Sequence, residues 1–138
     1  MQIINRIPFK AAALAILTFL TLILFFHIFV LLGVIPYSIV WGGRLESVTQ
    51  MRVFEIVSIV LNSVIIATVS MKSGYLQPVV SVKTLNFILW LLVVLFTLNT
   101  IGNLFSTSTL ETIVFTPLTL IGAVLCYRLA IEKPQMNA

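Results

Sequence analysis

Charge is what this sequence has least of. Only 9% of its 138 residues are Asp, Glu, Lys or Arg, against 60% hydrophobic residues. With a mean hydropathy of +1.18, that balance excludes a water-soluble domain and sets lipid as the solvent. Cysteine is nearly absent as well. Cys126 stands alone, which rules out an intrachain disulfide and a CxxC redox pair, and with them thiol–disulfide oxidoreductase chemistry. One His, one Cys and four acids, none at ligand spacing, predict no metal site. No motif calls for a cofactor, so none is expected. The eight Lys and Arg are scattered singly, without a basic patch or interleaved surface aromatics. They are read as setting topology, and nucleic acid is not an expected partner.

What the chain does have is four long apolar runs, from about Ala11 to Val34, Val53 to Met71, Leu85 to Leu104 and Leu110 to Ile131. Each is near the ~20 residues that a helix needs to cross ~30 Å of hydrocarbon. Membrane strands would instead be alternating segments of about ten residues. The expectation is an all-α, four-helix transmembrane bundle, one domain over residues 1–138. The first run follows Arg6 and Lys10 like a signal peptide, but it exceeds the ~7–15 residues of a signal core. It is read as a retained span. No internal repeat relates the two halves.

Six basic residues (Arg6, Lys10, Lys72, Lys83, Arg128, Lys133) fall on one side of these spans, and only Arg44 and Arg52 on the other. The positive-inside rule then predicts both termini in the cytoplasm and the loop from Ile35 to Arg52 outside.

With that orientation, the polar residues cluster in the outer half. His27 lies seven residues before the end of span 1. Glu55, Ser58 and Asn62 share one face of span 2, at i, i+3 and i+7. Asn99 and Asn103 share one face of span 3, and Glu111 opens span 4. Polar groups in lipid turn inward, pair or line a wet cavity, because an ionisable residue at mid-bilayer costs roughly 2.5–3.5 kcal/mol. Inter-helix hydrogen bonding alone would explain any one of them. Their convergence from three helices marks His27, Arg44, Glu55, Asn62, Asn99 and Asn103 as candidate ligand-binding residues; no catalytic residue is assigned.

Arg44 belongs to that set through the loop IPYSIVWGGRL, residues 35–45. Pro36 is expected to end the first helix, Tyr37 and Trp41 to anchor at the interface, and Gly42-Gly43 to allow a tight turn. The loop is either a simple aromatic belt or a lid that places Arg44 over the polar cluster, paired with Glu55 or holding an anionic ligand. In span 4, Thr112, Thr116, Thr119, Ala123 and Cys126 form a small-residue stripe suited to close helix packing, and Pro117 predicts a kink.

The runs IPYSIVWGGRL, FEIVSIVLN, LNTIGNL and FTPLTL together resemble a group of small four-span membrane proteins of Bacteroidota-type bacteria. The resemblance implies a multi-pass protein of the bacterial cytoplasmic membrane and carries no activity. An acid and a histidine within four helices are also similar in architecture to the sterol isomerase and sigma-2-like fold, which supplies several acids where this chain has one. Three functions remain open. The first is a module binding a small amphipathic ligand, a lipid or a partner helix in the outer-half cavity. The second is an intramembrane enzyme moving a proton with Glu55 or His27 on an apolar substrate. The third is a transporter or channel subunit, which would need a homo-oligomer because the inner half is apolar. Membrane lipids are expected partners in all three.

Overall fold

The computed structural model describes residues 4–106, 109 and 111–132, and is all-helical apart from turns. Four helices form the bundle: α1 (Phe9–Leu31), α2 (Val48–Lys72), α3 (Val82–Leu104) and α4 (Thr116–Ala130), the last preceded by a π-helical turn, Glu111–Phe115. With that turn included, all four are long and apolar enough to cross a membrane, so the chain is a polytopic membrane protein. Leu110, Lys133 and the side chain of Glu111, which entered the sequence reading, lie outside the described residues.

The helix ends differ from the sequence expectation for local reasons. Helix α1 stops at Leu31, before Pro36. Gly33 adopts φ 76°, and Val34 N–H returns to the Phe29 carbonyl at 2.9 Å, so a left-handed glycine cap ends the helix first. Gly74, at φ 77°, ends α2 in the same way through Tyr75 N–H to Ser70 O. Helix α2 begins five residues earlier than its apolar run because Ser47 caps it, accepting from Gln50 N–H at 3.1 Å. Ser81 caps α3 through Thr84 N–H and likewise lengthens it. The irregularity expected at Pro117 takes the form of the π turn that leads into α4.

Helices α1 and α2 pack along each other, as do α3 and α4, and α1 also meets α4. The contact between α2 and α3 is slight. The main core fills the half nearer the termini, around Ile16, Leu20, Ile65, Val69, Leu89, Leu92, Cys126 and Leu129. That end is tied by basic side chains. Lys10 donates to Ser73 O at 2.8 Å, Lys72 to Asn86 Oδ1 at 2.6 Å and Glu132 O at 3.1 Å, and Arg128 to Ile7 O at 2.9 Å. Lys10 and Lys72 thereby meet carbonyls just past the C-terminal ends of α2 and α4, where helices leave such groups unpaired.

Candidate functional site

The opposite end, which carries the loop between α1 and α2, is built around one acid. Glu55 has a relative exposure of 0%. Its two carboxylate oxygens have separate partners: His27 Nδ1 lies 2.7 Å from Oε2, and Trp41 Nε1 donates to Oε1 at 2.8 Å. An acid buried in this way is costly unless its oxygens are hydrogen-bonded, and here both are. With Nδ1 beside the carboxylate, His27 Nε2 has no protein partner among the described residues.

Trp41 reaches Glu55 from an unusual backbone. Its φ is +55°, and Gly42 and Gly43 follow at +67° and +69°, giving three successive left-handed residues. Glycine adopts this conformation freely; for a bulky side chain it costs about 1–2 kcal/mol. The turn drives the indole down onto α2, where it also meets Phe54 edge-on at 5.1 Å between centroids. Trp41 is therefore the hydrogen-bond partner of a buried acid while the residue itself stays 38% exposed, a role beyond the interface anchoring expected from sequence. The pairing of Arg44 with Glu55 is likewise corrected, because His27 and Trp41 already occupy both oxygens. Arg44 is exposed at the rim.

Beneath this roof lies a cavity of about 560 Å³, walled by all four helices in the half nearer the loop. His27, Arg44, Asn62, Asn99 and Asn103 all line it; Glu55 stands behind His27 and does not. Most of the wall is apolar, including Phe19, Ile23, Phe26, Leu95 and Phe96. Leu61 and Leu98 line it as well and are 47% and 60% exposed, so the cavity opens sideways between α2 and α3.

The asparagines are not equivalent. Asn62 is buried, and its Nδ2 donates across to Leu20 O at 3.0 Å. Since a carbonyl only accepts, this fixes the amide orientation and leaves Oδ1 buried without a partner. Asn103 makes one long contact, Nδ2 to Thr119 Oγ1 at 3.5 Å, and Asn99 is exposed. These three do not bond to His27 or Glu55. The structure thus brings His27 and Glu55 into direct contact, and puts Arg44 and the three asparagines around the same space. Trp41 is the residue that sequence reading missed. The signal available was the adjacent Gly-Gly, which allows a turn sharp enough to bring a neighbouring indole onto α2.

Small-residue packing governs the neighbouring α3–α4 seam. Thr100 donates to Thr119 Oγ1 at 2.9 Å, and a Cβ added at Gly122 would lie 3.2 Å from the Phe96 ring. No protein-family profile, curated protein or solved structure matches this chain.

Proposed function

We propose that this protein binds a small amphipathic molecule, taken up from the membrane through the gap between α2 and α3 and held beneath the Trp41–Arg44 turn. The observation that carries this reading is the cavity. Its ~560 Å³ lies within the range typical of small-molecule sites, and its lining combines apolar walls with a few convergent polar groups. A sideways opening suits a ligand already dissolved in lipid. The Lys/Arg distribution supports a loop on the extracytoplasmic side and both termini in the cytoplasm. The resemblance to small bacterial four-span proteins supports the cytoplasmic membrane as the location. Protein purified in mild detergent should retain a co-purifying amphiphile detectable by mass spectrometry. Leu61→Trp, which fills the opening, should abolish that retention while leaving the melting temperature within a few degrees. Equal retention by both forms would rule out this gap as the route.

A second reading has one observation in its favour. A carboxylate on Nδ1 orients the imidazole and leaves Nε2 to take or give a proton, as in a base–orienter pair. An intramembrane enzyme would use His27 as the proton acceptor and Glu55 as its positioning residue.

A further inference from the structure

The charges around the cavity are unevenly distributed. Arg44 is the only Lys or Arg among the described lining residues, and no Asp or Glu joins it there. Glu55 is withdrawn behind His27 with both oxygens engaged, so neither carboxylate oxygen is presented to the cavity. Arg44 has no ion pair or side-chain hydrogen bond to a described residue, although it follows directly on the strained Trp41–Gly43 turn that fixes its place at the rim. The amides of Asn99 and Asn103 add donor capacity at the same end of the cavity, and His27 Nε2 joins them when the ring carries a second proton. Further along, the lining toward the opening between Leu61 and Leu98 is mostly aliphatic and aromatic, with Ser58, Asn62 and Thr119 as its uncharged polar members.

We propose that the occupant is a single-chain amphiphile with an anionic head, a carboxylate or a phosphate monoester. The head sits between Arg44 and His27, and the chain leaves the bundle between α2 and α3. This rests on the amphiphile-binding reading above and specifies the ligand. Arg44 supplies the forked donors that match a carboxylate or phosphate. A proton on His27 makes Nε2 a second charged donor, and Glu55 then balances the imidazolium from behind. Glu55 is therefore a positioning residue, which tunes the head site without touching the ligand.

The test uses Trp41 as its reporter. Trp90→Phe leaves Trp41 as the single tryptophan of the two, and it lines the cavity. This variant, in phosphatidylcholine nanodiscs, is titrated with 9,10-dibromostearic acid and with the matching dibromo alcohol, whose bromines quench a nearby indole. The expected result is saturable quenching by the acid and about tenfold weaker binding of the alcohol. Adding Arg44→Gln should cost the acid about tenfold and leave the alcohol unchanged. Arg44 is exposed and has no side-chain partner among the described residues, so the substitution should not disturb folding. Stronger displacement of the probe by oleate than by oleoyl lysophosphatidate assigns the head as a carboxylate, and the reverse as a phosphate. Equal binding of acid and alcohol, or acid binding indifferent to Arg44→Gln, would overturn the anionic head and leave the amphiphile reading standing. Displacement by inorganic phosphate alone would overturn the chain-bearing ligand. No saturable quenching by either probe would overturn both readings.

Discussion

The α3–α4 seam and the α2–α3 gap share helix α3, yet one is closed and the other open. In the seam, α4 presents Thr119, Gly122, Ala123 and Cys126, all buried. These small side chains let the helices approach until the Phe96 ring lies against Gly122, and the Thr100–Thr119 hydrogen bond fixes the register. In the gap, α2 presents Ser58, Leu61, Asn62 and Ile65 to Leu95, Leu98 and Asn99 on α3. Leu61 and Leu98 flank it, both largely exposed, and no hydrogen bond joins these residues across it. At the far end Lys72 and Asn86 join α2 to α3, so the two helices are held at one end only. In lipid no hydrophobic effect draws such helices together. Closure here depends on small residues joined by a cross-helix hydroxyl bond, and a cavity persists where that bond is missing.

The largest effect should come from the roof that covers the gap. Glu55→Leu orphans His27 Nδ1 and Trp41 Nε1 together and removes what holds Trp41 at positive φ. Removing one partner of a buried pair costs about 3–5 kcal/mol. Thermal unfolding in detergent should show a large loss of stability. Most of that loss should be recovered in the double variant His27→Leu/Glu55→Leu, because the unpaired imidazole is gone. A small effect of Glu55→Leu alone would show that the roof does not depend on this acid.

Seam and gap should then respond oppositely to added volume. Thr119→Leu forces a branched side chain into the seam and breaks the Thr100 bond, at about 1–3 kcal/mol. Leu61→Trp adds more volume in the gap but meets open space and lipid, so its cost should stay near the ~0.5 kcal/mol of surface changes. Parallel melting curves test the contrast. Equal losses would mean that the gap is packed shut in the membrane.

The spans and the fold class were legible in the sequence because apolar runs of helix length have one stable solution in lipid. The shared depth of His27 and Glu55 was legible too, since helical spacing fixes both depth and face, whereas Asn62 meets Leu20, about two turns further along α1. Two things were not. The exact helix ends depended on Gly33, Ser47 and Ser81, whose capping geometry outweighed Pro36 and the hydropathy edges. The partner of Glu55 depended on a left-handed turn at Trp41, a conformation that residue type alone argues against. Arg44 was the obvious electrostatic partner; the backbone instead delivered the indole.

The smallest effect on stability, and the sharpest probe of the roof, should come from Glu55→Gln. Trp41 Nε1 can only donate, so the new amide must turn its oxygen toward the indole. Its NH₂ then faces His27 Nδ1, which has to accept, and the imidazole proton moves to Nε2. Both hydrogen bonds survive, so the cost should be about 1 kcal/mol or less. The gap remains roofed and the seam is untouched. What changes is the tautomer of the chain's single histidine, which ¹⁵N NMR of labelled protein reads without assignment ambiguity. The wild type should show the Nδ1–H form and Glu55→Gln the Nε2–H form. An imidazole whose Nδ1 already accepts from an amide cannot take a second proton there. Anionic ligands should therefore weaken while neutral amphiphiles do not. If Nδ1 keeps its proton in Glu55→Gln, the amide has turned the other way and Trp41 has lost its acceptor. The roof would then be held by something other than the Glu55–indole bond.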